Sequence, residues 1–323
     1  MLSSIFKNNA ILKTRALDGD FLKSLSSGEL KYLLAEIKRD NELCLCFRGT
    51  YVNVYYKGGS LFKIQRNSGY CKIIFDFNYA RYTKDFTQRL GALQELGFRY
   101  FISKDAKHRK IICKYPQENK AGAYFWQESI RLLKGLIDDF SDMEKTDNLF
   151  SSNTKRKKKD NLEKQRQQEI MLANSMLDGE YFIYDMEYDQ PRNSSKEEKS
   201  GRFDMLALRR VTSGCYSLVF IELKSTKEAC KGVSGIGKHY NDLKKYISIE
   251  NIINTRREDA KAICKQYFNL GLIRMGEIII DKEEILFVFT DEAIKYAQEI
   301  KNPLEKCILS SEDLRLKFNN GIL

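Results

Sequence analysis

Two carboxylates and one lysine lie in two short apolar segments of the second half of the chain. Glu222 and Lys224 end the run 218–224, and Asp204 lies in the run 203–208. Residues i and i+2 of a β-strand point to the same face, so the Glu222 carboxylate and the Lys224 ammonium should lie side by side. Carboxylates and a lysine that converge on adjacent strands are suited to metal-assisted cleavage of phosphodiesters.

Each of these groups has a chemical part to play in such a cleavage. Asp204 and Glu222 are expected to hold Mg²⁺ or Mn²⁺, with the backbone carbonyl of Leu223 as a third oxygen ligand. Lys224 would position the attacking water or stabilise the charged phosphate. Glu187 would complete the site or bind a second metal, and it is equally well explained as an exposed acid at a strand end.

The segments around these residues follow the order helix, strand, strand, strand, helix. The pattern predicts a polar helix over 160–177, strands over 181–188, 203–211 and 216–224, helices over 238–249 and 256–270, and a strand over 285–289 that is covered on both sides. The first helix offers Glu163 and Glu169 as a further acid, and Glu169 is favoured because it adjoins the apolar Ile170.

The helix after the lysine begins with a glycine-rich break. Glycine allows close approach of the backbone to a ligand, and a helix N-terminus attracts phosphate. Lys238 and Lys244 add positive charge, so we expect nucleic acid to contact this helix. His239 would contact phosphate or substrate, or would simply face solvent as a lone surface histidine.

The first half of the chain has the pattern of a separate α+β domain over 1–145. Apolar spacing predicts a helix over 29–37, strands over 43–47, 51–56, 61–64, 72–77 and 109–114 in an antiparallel meander, and a helix over 122–140. A polar stretch over 146–159 is expected to be a linker, and residues 160–323 form the second domain. The run Lys155, Arg156 and Lys157 within that linker would grip phosphates or be a solvated segment.

Composition and charge narrow the class of protein. Lys and Arg number 55 against 44 Asp and Glu, a net charge of +11, which favours a polyanionic partner. The eight cysteines include no CxxC pair and are expected to be reduced thiols of a cytoplasmic protein without zinc. Neither a signal peptide nor an apolar stretch long enough to cross a membrane is evident.

The spacing Glu-x-Lys is not informative by itself, because it recurs at 29–31, 36–38, 118–120 and 197–199. Of these pairs, only Glu222 and Lys224 end an apolar run with the pattern of a strand. They also follow a second acid, Asp204, in another apolar run, and they precede a predicted helix. In this context residues 160–290 resemble the PD-(D/E)XK nuclease superfamily, with Asp204 as the family's acid and Phe203 in place of its usual proline.

The resemblance implies a restriction-endonuclease-like domain, a mixed sheet flanked by helices, in an α/β (α+β) chain of two domains. It implies a Mg²⁺- or Mn²⁺-dependent nuclease that acts on DNA rather than RNA, in defence or repair, and it leaves a homodimer open. Two other classes stay open. The chain could be a noncatalytic nucleic-acid-binding module on the same fold, or a regulatory protein-interaction module in which the basic run is only a linker.

Overall fold

Two β-sheets organise the chain in the computed structural model, and each lies in a compact unit of its own. The structure describes residues 14–80, 83, 85–102, 109–116, 122–146, 152–189, 202–230, 235–274, 278–290, 293 and 308–310. The meander unit comprises Ala16–Met176 and Lys265–Arg274. The mixed-sheet unit comprises Met1–Arg15, Leu177–Cys264 and Met275–Leu323. The predicted mixture of helices and sheets is confirmed.

An antiparallel sheet is the centre of the meander unit. Its strands are β1 (Cys44–Phe47), β2 (Tyr51–Tyr56), β3 (Gly59–Asn67), β4 (Tyr70–Asp76), β5 (Arg99–Ile102) and β6 (Arg109–Tyr115), in the spatial order β1-β2-β3-β4-β6-β5. The described helices are α1 (Gly19–Ser26), α2 (Lys31–Arg39), α3 (Phe86–Glu95), α4 (Ala123–Thr146) and α5 (Ser152–Ala173). The predicted antiparallel meander is therefore confirmed.

One face of this sheet packs on the helices and forms the core of the meander unit. Ile64 and Ile73 are fully buried partners across β3 and β4. Trp126 of α4 is also fully buried and meets Phe62 edge-on, with 5.6 Å between the ring centroids. Buried residues alternate with partly or fully exposed ones along β4, as the two-residue period of a sheet with one solvated face requires.

A helix replaces most of the linker that the sequence predicts over 146–159. Helix α5 begins at Ser152 and includes the backbone of the basic run. Lysine and arginine are good helix formers, so a segment with few apolar residues can be helical when its other end is anchored. That anchor is in the meander unit, where the backbone N–H of Gly58 donates to the Gln168 side chain across 2.6 Å. The unit boundary that follows α5 in the chain lies at 176/177, beyond the predicted linker.

Strands of both orientations form the sheet of the mixed-sheet unit. They are β7 (Tyr181–Asp189), β8 (Arg202–Thr212), β9 (Cys215–Lys224), β10 (Ile279–Phe289) and β11 (Ile308–Ser310), in the order β11-β10-β9-β8-β7. The pairs β7/β8 and β8/β9 are antiparallel, and β10 is parallel to both β9 and β11. Helices α6 (Lys227–Cys230), α7 (Ile236–Ile247) and α8 (Glu250–Asn269) follow β9, and the last residues of α8 belong to the meander unit.

Burial explains why the strand pattern of β9 and β10 is so apolar. Every residue of β9 from Tyr216 to Lys224 is buried, and Phe287, Val288 and Phe289 of β10 have no exposed surface. A strand covered on both faces must be apolar at consecutive positions, so the predicted covered strand is confirmed.

Two predictions on chemistry and location can be checked only for the described part of the chain. The seven cysteines that the structure describes are all free thiols, and Cys307 lies outside the described residues. Among the described helices, none combines the length and the apolar character that a membrane crossing requires.

Candidate active site

Strand register brings the two predicted carboxylates to the same edge of the mixed sheet. Met205 of β8 pairs with Ile221 of β9. Asp204 directly precedes Met205, and Glu222 directly follows Ile221. The two acids therefore lie at the same end of two neighbouring strands, the carboxyl end of β9.

Asp204 is fixed there by the backbone of the neighbouring strand. The backbone N–H of Leu223 donates to Oδ2 of Asp204 across 2.7 Å, and the Asp204 side chain is partly exposed. A strong donor on the next strand limits the directions in which the carboxylate can turn. The carboxylate thus stays beside Leu223, whose carbonyl the sequence predicts as a metal ligand.

Glu222 and Lys224 form a buried ion pair. Lys224 Nζ lies 2.9 Å from Oε1 of Glu222, and the two residues are 6% and 4% exposed, respectively. The i, i+2 spacing predicts that they share a face, and the structure places them in direct contact. Taking two charges out of water is costly unless they are paired, so this pair has a specific geometry and little freedom.

Helix α7 adds His239 to the same carboxylate. Nδ1 of His239 contacts Oε1 of Glu222, and the His239 side chain is 31% exposed. The helix is held in place by Tyr246, whose ring packs against Phe203 and Phe220 with centroid distances of 5.3 and 5.9 Å. The residue before Asp204 and the helix that carries His239 are thus parts of one aromatic cluster.

These two partners keep Glu222 ionised although it is buried. Burial alone would raise the pKa of the Glu222 carboxyl group. The hydrogen bond with His239 and the nearby charge of Lys224 outweigh that effect and lower the pKa below its ordinary value. A carboxylate that is ionised and poorly hydrated is well suited to bind a cation.

Glu187 lies near Asp204 in an unusual backbone conformation. The pairs Met186 with Met205 and Tyr188 with Phe203 lie on either side of it, so the register places Glu187 opposite Asp204. Its φ angle is +52°, in the left-handed region that residues other than glycine adopt only at a cost of about 1–3 kcal/mol. Such conformations cluster at functional sites.

The predicted residues of helix α5 belong to the meander unit. Glu169 is in the meander unit, where it is exposed and forms an ion pair with Arg166 across 2.8 Å. Glu163 belongs to the same helix. Helix α5 also includes Lys155, Arg156 and Lys157, whose side chains lie outside the described residues. All of these residues belong to the meander unit, whereas β8 and β9 belong to the mixed-sheet unit.

Lys238 and Lys244, the two lysines of α7 that the sequence predicts as nucleic-acid contacts, are exposed. Lys238 pairs with Asp242 of its own helix across 2.6 Å, and Lys244 Nζ lies 5.9 Å from the centre of the Tyr240 ring. Both side chains are accessible to a ligand, although Lys238 already has an acidic partner.

Sequence reasoning did not identify Thr290 as part of this edge. Its backbone N–H donates to the carbonyl of Lys224 across 3.1 Å, and its hydroxyl donates to the carbonyl of Ser225 across 3.1 Å. Thr290 directly follows β10, and a threonine just after a buried apolar run is the only signal in the sequence. It closes the carboxyl end of β9 against that of β10.

The donor set fits a hard divalent cation. Mg²⁺ is usually held by one or two carboxylates, with water and phosphate oxygens in its other positions. Asp204 and Glu222 would supply two such ligands, and Leu223, whose N–H donates to Asp204, directly follows Glu222. Among the described side chains, no three from His, Cys, Asp and Glu are arranged as a metal site by themselves.

Comparisons of this chain with protein-family models, curated proteins and solved structures find no match.

Proposed function

We propose that the chain is a metal-dependent nuclease that hydrolyses phosphodiester bonds, in DNA rather than RNA, with Mg²⁺ or Mn²⁺ as its cofactor. The observation that carries this proposal is the convergence of Asp204, Glu222 and Lys224 at the carboxyl end of β9. The resemblance to PD-(D/E)XK nucleases supports it, since the same residues occupy the positions of that family's motif.

Each residue has a defined task in the proposed reaction. Asp204 and Glu222 would hold the cation, which supplies positive charge to the phosphate and lowers the pKa of its bound water. Lys224 offers a compact ammonium that stabilises the added negative charge when water attacks the phosphorus. The water oxygen forms a P–O bond and gives up a proton, the P–O bond to the leaving strand breaks, and the leaving oxygen takes up a proton, so the net change is the addition of one water molecule.

His239 would position Glu222 in this reaction. It shares Oε1 of that carboxylate with Lys224, so the carboxylate stays ionised and oriented while Lys224 moves toward a phosphate. Because His239 is near the N-terminus of α7, an anionic phosphate at this edge would also meet the positive end of the helix dipole.

A cleavage assay tests the proposal. Linear, circular and single-stranded DNA and RNA are incubated with Mg²⁺, Mn²⁺ or EDTA. Asp204→Asn, Glu222→Gln and Lys224→Ala should each lower the rate by about 10²-fold or more. Asp281→Asn and Lys282→Ala are matched controls on β10, where both side chains are exposed, and they should cleave like wild type.

A noncatalytic nucleic-acid-binding module is the second candidate, and one observation favours it. Lys224 and His239 both engage Oε1 of Glu222, so the carboxylate is neutralised within the protein itself. If no substrate is cleaved with either metal while binding persists and weakens with salt, the noncatalytic function replaces the nuclease. Equal cleavage by wild type and all three site variants would place any activity at another site.

A further inference from the structure

The face of the meander sheet that points away from the core is rich in lysine. Inward residues such as Ile73 and Ile111 are fully buried, and the residues between them are partly or fully exposed. We call the exposed side of β2, β3, β4, β6 and β5 the outward face. Its residues include Tyr51, Lys63, Gln65, Lys72, Ile74, Phe101, Lys110, Ile112 and Lys114.

Lysines on the outward face lie close to one another. Lys72 of β4 is directly opposite Lys114 of β6 in the strand register. Burial, and then the nearby charge of Lys110, lower the pKa of Lys63. Like charges placed opposite each other destabilise a sheet, so this arrangement weakens the fold unless an anion neutralises it. The acid opposite Lys110 is Asp76, which accepts a hydrogen bond from the Asn78 backbone N–H.

Apolar and aromatic side chains lie between these lysines. Ile74 and Ile112 are opposite each other at the centre of the face. At one side, Lys63 Nζ lies 4.0 Å from the centre of the Tyr51 ring. At the other side, the Phe101 side chain on the edge strand is 51% exposed. The face therefore offers flat apolar surfaces beside positive charges.

We propose that the outward face binds single-stranded nucleic acid, with phosphates at the lysines and unpaired bases on Tyr51, Phe101 and the isoleucine pair. Base stacking on aromatic rings combined with a basic surface is the usual way to hold single strands without sequence preference. Five strands about 4.8 Å apart make a platform roughly 19 Å wide, which is enough for a few nucleotides.

A duplex fits this face less well. Its bases are stacked and paired, so the apolar centre of the face would gain nothing from them, and a sheet face does not enter a groove as a helix or a two-stranded ribbon does. An acidic peptide would satisfy the lysines and leave the aromatic rings without partners. Single strands alone use both features. Binding here does not depend on the proposed catalysis, because none of the groups at the carboxyl end of β9 is involved.

Fluorescence anisotropy of the full-length protein in EDTA tests the proposal. Probes are a labelled oligo(dT) 12-mer, an oligo(U) 12-mer and a 12-base-pair duplex, over a range of NaCl concentrations. Single strands should bind at least tenfold more tightly than the duplex. Lys72→Gln/Lys114→Gln should weaken single-strand binding at least tenfold and reduce the slope of log K against log salt by about 1.4, since each phosphate contact contributes about 0.7.

Two further variants separate charge from stacking. Tyr51→Leu/Phe101→Leu should weaken binding while the salt slope stays unchanged, because no cation is removed. Lys31→Gln/Lys38→Gln removes two exposed lysines of α2 from the same unit and should bind as wild type does. Asp204→Asn should also bind normally, so a failed nuclease proposal and a failed binding proposal give different results.

Lysine acylation is measured on the wild-type protein, so the result does not depend on whether a variant folds. Bound oligo(dT) should protect Lys63, Lys72 and Lys114 from acylation and leave Lys31 reactive. Equal binding of duplex and single strands, or wild-type binding by the Lys72→Gln/Lys114→Gln protein, would overturn the proposal. Competition by poly-glutamate as effective as that by oligo(dT) would indicate an acidic protein partner instead.

Discussion

Two lysine sites, one in each unit of this chain, have opposite environments. In the mixed-sheet unit, Lys224 is almost completely buried and its ammonium contacts a carboxylate. In the meander unit, Lys114 is exposed and lies opposite another lysine, Lys72. A buried charge must be paired because desolvation is costly, whereas solvent screens charges on a surface. The buried ion pair suits a site whose geometry must be fixed to fractions of an ångström. The exposed, opposed lysines suit a surface that binds an anionic partner.

The buried Glu222–Lys224 pair and the exposed lysines of the meander sheet also differ in their effect on stability. Removing a charge from the buried pair should cost stability, because its partner remains buried without compensation. Removing a charge from the exposed cluster should relieve repulsion and increase stability. The sign of the change in the free energy of unfolding therefore distinguishes the two arrangements.

Lys224→Ala should give the largest effect. Glu222 would keep only the partly exposed His239 as its partner, so the free energy of unfolding should fall by about 3 kcal/mol, measured by urea denaturation. The matched control Lys282→Ala removes an exposed lysine of β10 and should change it by less than about 0.5 kcal/mol.

A second substitution checks the cause. Glu222→Gln in the Lys224→Ala background should recover part of the lost stability, since the uncompensated charge is then gone. Equal losses for Lys224→Ala and Lys282→Ala would mean that the Glu222–Lys224 pair is not buried as the structure has it.

Gln168→Ala should have the next largest effect, and it tests to which unit α5 belongs. The Gln168 side chain accepts the Gly58 N–H and donates to the carbonyls of Glu42 and Tyr55 across 3.0 and 3.1 Å. Without it these buried backbone groups lose their partners, at a cost of about 2 kcal/mol in the free energy of unfolding.

Gln165→Ala is the control for that measurement. Gln165 donates to the partly buried Ser141 hydroxyl across 3.2 Å, and its loss should cost less than half as much. If α5 instead supported the β9 edge, Gln168→Ala would reduce cleavage and leave the stability of the meander unit unchanged.

The sequence predicts the strands of the candidate site well for a physical reason. The apolar run 218–224 and the i, i+2 spacing of Glu222 and Lys224 both follow from the two-residue period of a strand, and that period survives in any fold. The contact of His239 with Glu222 depends on how α7 packs through Tyr246, which no local pattern encodes. Spacing could therefore indicate the pair but not its third member.

Helix α5 shows where such reasoning fails. Its anchor in the meander unit is the buried side chain of Gln168. This polar side chain is buried because it forms hydrogen bonds with backbone groups, and the apolar periodicity of a sequence does not indicate such contacts. Gly58 adds to the difficulty. It has φ +74° in the turn between β2 and β3, and a Cβ atom there would clash with the backbone of Gln165. The turn is readable from the sequence, whereas the helix that approaches it is not.

Lys72→Gln should have the smallest effect, and its sign is the informative part. The substitution removes one of two directly opposed positive charges, so the free energy of unfolding should rise by about 0.5 kcal/mol at low salt. The gain should disappear in 1 M NaCl, where the Debye length is about 3 Å. Lys282→Gln is the control, because the residue opposite Lys282 is Ser217 and there is no repulsion to relieve, so this variant should show no such gain.

A Lys72→Gln protein that is less stable at low salt would mean that Lys72 has a stabilising partner. The lysines of the outward face would then be ordinary paired surface charges, and the contrast with the buried pair at Lys224 would lose its meaning.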